Sequence, residues 1–445
     1  MFNYEISRRE FIGRSVAGVA TASLGLRAPA VARTMSPNDK VTAGMIGVGI
    51  RGLELMEAVL KVGGNVAMVC DLYDGHLARA QEIQANTPTT REYRDILNSK
   101  EIEAVFIATS DNWHAPIAID AMRAGKDVYC EKPMTQTIPQ AVVMADTAKE
   151  TKRIVQVGSQ SLSMKCTHKA KELVQRGEIG KVYMVQASAY RPNAIGAWRY
   201  PVPPDASPRT IDWERYQGGA EKRPFDAERF FGFSKWWDYG TGIAGDTCVH
   251  LVTRIHYILG VQFPKAAIST GGIYKWTGDR DVPDVQNTVY DYGNFQAVVL
   301  ANLASNWDPG QIIRFLGDNG TLEISDNSAT FVPYNLIESY SYPICSWPKQ
   351  AKQEFISKHE NDPLADVGSA PRLPQRNNQS FPGEDEGTED HIRDFFEAVK
   401  SRKQPIEQAE FGLGTAVACH MANLSYLKKK PVIWDPEKRA ARVET

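Results

Sequence analysis

The run Gly47-Val48-Gly49-Ile50-Arg51-Gly52 lies between a short apolar stretch, Val41–Ile46, and an amphipathic one, Gly52–Leu60. Glycines at that spacing, between a strand and a helix, permit a tight turn and let backbone approach a pyrophosphate closely. They also bring helix and strand into contact, while the helix N-terminus favours an anion. The spacing alone is a weak signal. Here a second apolar run, Val66–Cys70, ends at Asp71, about twenty residues beyond Gly52, where a carboxylate accepts a hydrogen bond from a dinucleotide's ribose 2′-hydroxyl. The sequence thus predicts a Rossmann unit whose cofactor lies along Gly47, Gly49, Ile50, Arg51, Gly52 and Asp71. Asp71 favours NAD over NADP, because a 2′-phosphate would meet its charge. Arg51 stands where it can contact a phosphate, which tempers that preference.

The alternation continues through Ala104–Ala108, Asp127–Cys130 and Ile154–Val157, with a helical stretch at Pro116–Ala124 closed by Gly125. Strands alternating with helices of this length indicate βαβ units and a parallel sheet. Lys165–Arg176 reads as a connecting helix. Beyond it the pattern changes to strand-like runs at Val182–Ala189, Ala266–Tyr274, Val285–Asp291, Gln296–Ala301, Ile312–Leu316 and Thr321–Ile324. Hairpin signals stand at Tyr292-Gly293-Asn294 and Asp318-Asn319-Gly320. The expected class is α/β: an N-terminal Rossmann domain over 33–164, then a C-terminal α+β domain over 165–445 with an open, mostly antiparallel sheet. Arg191–Thr241 is expected to be irregular and rich in Trp and Tyr. Pro343–Thr388 is expected to form an extended surface arm. Two amphipathic helices, His391–Arg402 and Phe411–Lys428, close the chain.

Residues 1–32 read as an address. Ser7-Arg8-Arg9-Glu10-Phe11-Ile12 precedes a weakly apolar stretch and then Ala30-Val31-Ala32. That order resembles a twin-arginine signal cleaved near Ala32, which implies periplasmic or otherwise exported protein handled by the twin-arginine machinery. With 51 basic and 53 acidic residues the balance excludes a nucleic-acid binder, and no apolar run reaches the roughly 20 residues that span a bilayer. The six cysteines are scattered, and Cys70 and Cys130 read as small buried hydrophobes. No His/Cys spacing suggests a metal.

Cys130-Glu131-Lys132-Pro133 ends a strand, where ligands of doubly wound sheets bind, so Lys132 is expected to face the cleft. Asp246 and His250 are four apart, on one face if Gly245 precedes a helix. Such a pair is often only structural. It also suits removal of a hydroxyl proton: a histidine accepts it and a carboxylate orients the ring. An ammonium such as Lys132 would stabilise the developing alkoxide.

The glycine fingerprint, Ala108-Thr109 followed by Trp113-His114, Ala124-Gly125-Lys126, Glu131-Lys132-Pro133 and Gly245-Asp246-x-x-x-His250 together resemble the glucose–fructose oxidoreductase, inositol dehydrogenase and MocA family. The resemblance runs from about Lys40 to Lys430. One departure is Ser110, where the family often has proline; it should alter a loop and leave the chemistry intact. The resemblance implies an NAD(P)-dependent sugar or polyol oxidoreductase, a homo-oligomer formed through the C-terminal sheet, and Lys132, Asp246 and His250 as catalytic residues. It places Thr109, Trp113, His114, Glu131 and Lys132 along the cofactor. For His114, a loop-capping role is equally open. Arg191, Trp236, Trp237 and Tyr239 are candidates for binding a sugar, and packing is the competing explanation for each aromatic.

An exported dinucleotide enzyme has no free cofactor pool to draw on, so it should hold its nicotinamide tightly and restore it each cycle. One route oxidises a first sugar and reduces a second. The other is the redox-neutral cycle of the family's NAD-dependent glycosidases, of α-N-acetylgalactosaminidase type, which needs an additional base; His114, Tyr190 and Tyr239 are candidates. A third possibility is a non-catalytic sugar-binding protein of the same fold.

Overall fold

The structure, a computed structural model, describes residues 40–305, 310–334, 340, 343–359, 378–382 and 387–444. The signal-like segment 1–32 lies outside them. Six parallel strands form the first sheet: β1 (Thr42–Ile46), β2 (Asn65–Cys70), β3 (Thr89–Thr90), β4 (Ala104–Ile107), β5 (Asp127–Glu131) and β6 (Val155–Gly158). Their spatial order is β3-β2-β1-β4-β5-β6, so the order reverses between β1 and β4 and opens a crevice at their carboxyl ends. β4, β5 and β6 are buried along their whole length, which is why they read as continuous apolar runs rather than alternating ones.

A parallel sheet needs cover on both faces. Helices Tyr93–Asn98, Asp111–Arg123 and Ile138–Thr151 cover one. The other is covered by Ile50–Lys61 together with a helix from far along the chain, Gly387–Ser401. Phe395 of that helix, fully buried, meets the rings of Phe106 on β4 and Tyr129 on β5 at centroid distances of 5.5 and 5.7 Å. A boundary drawn at residue 164 therefore leaves out a structural piece of the first domain.

Among the described residues the second sheet has ten strands: β7 (Val182–Tyr190), β8 (Ala266–Gly272), β9 (Val285–Asp291), β10 (Gln296–Asn302), β11 (Gly310–Gly317), β12 (Gly320–Ile324), β13 (Ser328–Pro333), β14 (Gln379–Pro382), β15 (Val432–Asp435) and β16 (Ala440–Val443). Of the pairings among the described residues only β7 with β10 is parallel; the others are antiparallel. β9 and β12 alternate buried and half-buried positions, so one face is core and the other is open. The helix Ala409–Lys428 is buried nearly all round, because it is sandwiched between helix Ile138–Thr151 and β8.

One expectation changes. The stretch Pro343–Thr388 is not simply an extended arm, since its described parts include a helix, Lys349–Lys358, and β14, which pairs with β13. Phe381 draws β14 inward, packing on the core beneath the Lys169 ammonium. The hairpin strands β15 and β16 extend the opposite edge.

The Phe395 contact sets a test of this architecture. Phe395→Ala should cost about 3–5 kcal/mol in urea denaturation, because the helix that closes the first sheet loses its anchor. A cost below about 1 kcal/mol would mean that this helix is not part of the first core.

Candidate active site

The glycine run forms the turn from β1 into helix Ile50–Lys61. Gly47 has φ +84°, and a Cβ there would lie 2.6 Å from the Ala108 carbonyl oxygen. A Cβ on Gly52 would lie 2.0 Å from the Gly47 carbonyl oxygen. Both positions therefore require glycine for space. The helix begins without a side-chain cap or an acidic residue in its first turn, leaving an anion-attracting end at the crevice. Asp71 fastens this turn to β2: its carboxylate accepts from Val48 N at 2.8 Å and Tyr73 N at 2.9 Å, with His76 Nδ1 3.2 Å away. The cradle and the carboxylate at its end fit a dinucleotide. Arg51 is turned inward, its Nε 2.9 Å from Glu131 Oε1 and its Nη1 2.9 Å from Glu54, while Nη2 is buried without a partner. Its first engagement is with β5 rather than with a phosphate. Ile50, beside it, is 66% exposed toward solvent.

At the end of β4, Thr109 leads into Ser110, which precedes helix Asp111–Arg123 and donates to Asn112 Oδ1 at 2.7 Å. Trp113 is tied by its indole N–H to the Tyr216 carbonyl oxygen at 2.8 Å. His114 is internal. Its ring nitrogens face the Pro133 and Thr109 carbonyl oxygens at 2.7 and 3.1 Å, and burial lowers its pKa. It braces the cis Lys132–Pro133 turn against β4, which is a loop-capping role.

Lys132 leaves β5 toward the second domain. Its Nζ donates to the Asp246 carbonyl oxygen at 2.9 Å and to Asp246 Oδ1 at 3.3 Å. The other carboxylate oxygen accepts from Trp198 Nε1 at 2.9 Å and has Arg191 Nη1 at 3.6 Å. Burial alone would raise the pKa of Asp246, but the charges of Lys132 and Arg191 outweigh it and hold the carboxyl below its usual range.

Asp246 belongs to a π-helical turn, Ala244–Cys248, that runs into helix Val249–Leu259. The wider turn changes the geometry expected from i, i+4 spacing. His250 lies near Asp246 and Lys132, yet no hydrogen bond joins it to Asp246. Burial and the Lys132 ammonium push its pKa down to about 3 against the opposing charge of Asp246, so the ring is neutral. Beneath them Asp111, buried and accepting from Thr241 Oγ1 at 2.7 Å, is pushed up to about 7 by burial and by the charge of Asp246.

Sequence reasoning singled out Arg191 but missed Trp198 and Asp111 as neighbours of this carboxylate. Trp198 is 1% exposed and has φ +61°. A side chain in that region costs about 1 kcal/mol or more, and it persists only where the surroundings hold it.

Trp236 and Tyr239 go elsewhere. With Tyr73, Trp213, Tyr216 and Phe230 they form an aromatic cluster separate from the main core. Tyr239 is fully buried, so it offers no ring face to a sugar, and Trp236 has the Arg229 guanidinium stacked 3.7 Å from its ring centre. Trp237 is pinned by two hydrogen bonds to Asp281. The cluster fastens the irregular segment back onto the first domain. Asp212 N donates to the Leu72 carbonyl oxygen at 2.9 Å, Asp74 N to that of Thr210 at 3.0 Å, and Tyr73 Oη to Asp205 at 2.6 Å. Arg215 donates to the Arg91 carbonyl oxygen at 2.6 Å. Residues 205–218 thus run past the carboxyl ends of β2 and β3 to Trp113, along the end of the crevice marked by Asp71.

The fold and this site define a two-domain dinucleotide-binding protein whose second domain brings a carboxylate to the lysine that follows β5. Residues 41–159 match the GFO_IDH_MocA family, described as an oxidoreductase family with an NAD-binding Rossmann fold, and 161–268 match its C-terminal alpha/beta domain. The chain belongs to the Gfo/Idh/MocA oxidoreductase family. It is similar to the inositol 2-dehydrogenase of Salmonella typhimurium, 32% identical over 164 residues that cover 36% of this chain and 48% of that protein. It is equally similar to a glycosyl hydrolase family 109 protein of Shewanella baltica, 32% identical over 176 residues covering 34% and 38%. The chain thus spans about half the length, or less, of these curated relatives. A levoglucosan dehydrogenase solved with NADH and levoglucosan shares the fold, with a TM-score of 0.64 at 17% identity, covering 88% of this chain and 99% of that one.

Two outcomes are expected. Gly52→Ala should weaken NAD binding at least about tenfold in calorimetry, because the clash is with backbone and a shift there displaces the cradle. Undiminished binding would place the cofactor elsewhere. Asp111 ionises near 3.8 when unfolded and near 7 when folded, so it costs stability as pH rises between those values, by about 1.4 kcal/mol per pH unit. Asp111→Asn keeps the acceptor for Thr241 and removes that cost. The variant should outlast the wild type in urea at about pH 8, with the advantage gone by about pH 4. An advantage independent of pH would show that Asp111 is not held neutral.

Proposed function

We propose that the protein is an NAD-dependent oxidoreductase that oxidises a carbinol carbon of a sugar, polyol or glycoside. The observation that carries this reading is the placement of Lys132 and Asp246, with His250 beside them, at the carboxyl end of β5 next to the glycine cradle. The nicotinamide, when bound, supplies a hydride acceptor. Lys132, presented by the backbone and side chain of Asp246, holds the substrate oxygen and stabilises negative charge on it. His250 lies beside this contact and is the candidate acceptor of the hydroxyl proton, although the burial and the Lys132 charge that lower its pKa also make it a weak base. Arg191, half-buried beside Asp246, is placed to bind a further hydroxyl.

Two family neighbours support a cyclic substrate: the relative named inositol 2-dehydrogenase and the solved levoglucosan dehydrogenase. The relatives named for glycosyl hydrolase family 109 support a second reading, redox-neutral glycoside hydrolysis. The enclosure of Tyr239 and the internal bonding of His114 remove two of its three candidate bases and leave Tyr190. We further propose that the signal-like segment exports the protein with NAD already held. The homo-oligomer forms through the outer sheet face, where Ile268 and Leu300 are 52% and 37% exposed.

The test uses purified mature protein with no cofactor added, mixed with free sugars and aryl glycosides. Reduction of bound nicotinamide, reversed by a second sugar, is the expected result. Steady aryl release without net reduction would establish the glycosidase instead, and inertness to all of them would favour a non-catalytic binder. Lys132→Ala should retain NAD while slowing reduction about 10²–10⁴-fold; an unchanged rate would remove Lys132 from the chemistry.

A further inference from the structure

The segment that follows β7 makes a tight turn over the Lys132–Asp246 contact. Asn193 Oδ1 accepts from Gly196 N at 2.7 Å, Trp198 N donates to the Ile195 carbonyl oxygen at 3.0 Å, and Arg199 N donates to that of Ala194 at 2.9 Å. Trp198 occupies the left-handed position of this turn, where glycine or asparagine meets the least strain. Its indole is enclosed, with the Arg280 guanidinium 5.5 Å from the ring centre and Arg280 Nη2 bonded to the Ala197 carbonyl oxygen at 2.6 Å. A ring needed only to fill space would not have to direct its one polar atom at a carboxylate. This one donates to Asp246 Oδ2 at 2.9 Å.

We propose that Trp198 is a positioning residue: its indole N–H fixes the carboxylate of Asp246 so that Oδ1 stays on Lys132 and does not swing to Arg191. The inference rests on the oxidoreductase reading for its kinetic consequence, though not for its structural one. The two oxygens of Asp246 have separate duties. Oδ1 and the backbone carbonyl hold the ammonium, while Oδ2 takes the indole, with Arg191 Nη1 waiting at 3.6 Å. Without the indole, the nearest donor for Oδ2 is that guanidinium. Turning the carboxylate toward it draws Oδ1 off Lys132 and leaves the ammonium bound to the backbone oxygen alone. The charged or titratable groups facing Asp246 are Lys132, Arg191, His250, Asp111, Tyr200 and Cys248. Removing a donor from this carboxylate makes it easier to protonate, so its titration moves to higher pH.

The test compares wild type with Trp198→Phe, which keeps an aromatic ring and deletes the N–H. A second variant carries the benzothiophene analogue of tryptophan at position 198, which preserves the outline of the indole, and it decides the matter if Trp198→Phe does not fold. NAD content should match wild type in both variants, and the melting midpoint should fall less in the benzothiophene variant than in Trp198→Phe, whose smaller ring leaves a cavity. Reduction of bound nicotinamide by a sugar active in the panel should slow about tenfold to hundredfold, with little change in half-saturating sugar, and its acid limb should move to higher pH. Independently of any sugar, the ¹³C carboxyl signal of Asp246, assigned by its loss in Asp246→Asn, should titrate at higher pH in the variants. Wild-type rate, pH profile and Asp246 titration in a folded variant would reduce Trp198 to packing and overturn the proposal. If no sugar reduces the wild-type cofactor, the oxidoreductase reading fails, and the Asp246 titration alone decides the role of Trp198.

Discussion

The contact between Lys132 and Asp246 is the constraint on which the site depends. One partner directly follows β5 of the parallel sheet and the other sits in the turn that opens helix Val249–Leu259 of the second domain. An ammonium at that place in the crevice is useful only if its charge is aimed, and a flexible four-carbon stem does not aim itself. The carbonyl oxygen and Oδ1 of Asp246 provide two fixed acceptors. The unusual local structure follows from this need. The π turn sets Asp246 before the α-helix begins, and the turn after β5, braced by His114 at the Pro133 carbonyl oxygen, sets Lys132 opposite it.

Glu131 carries the same logic to the cofactor end. Its carboxylate takes the Arg51 guanidinium from the glycine turn and the Gln160 amide from the segment after β6. The residue beside Lys132 thereby ties the cradle to the strand that presents that lysine. On the far side of the crevice, Asp71 does the corresponding work for β2 and the glycine turn. The aromatic segment then closes over Tyr73 and Trp113, so the dinucleotide-binding edge is bounded by side chains from both domains.

Much of this was legible in the sequence because it is local. The glycine spacing, the position of Asp71 and the apolar runs of the parallel strands follow from backbone rules that act over a few residues. The motif Glu131-Lys132-Pro133 reads the same way. What escaped is tertiary. The density of Trp and Tyr between 191 and 241 was visible, but nothing local says that Trp198 turns toward Asp246 while Tyr239 and Trp236 turn toward Tyr73. The four-residue spacing of Asp246 and His250 reads as one α-helical face, and the π turn that alters it has no clear sequence mark. The Gly387–Ser401 helix was foreseen as amphipathic, yet its partner, the sheet face around Phe106 and Tyr129, lies more than two hundred residues earlier. β14 was hidden by the polar composition around it, with Phe381 its one buried-side signal.

The central claim is that the crevice delivers a nicotinamide to Lys132 and His250. A crystal structure of the protein with NAD tests it most directly. The account predicts the pyrophosphate on the Gly47–Gly52 turn, the adenosine ribose at Asp71 and the reactive ring face turned toward Lys132 and His250. A cofactor bound through that turn but with its nicotinamide directed away from Lys132, or a crevice that takes no dinucleotide, would contradict it.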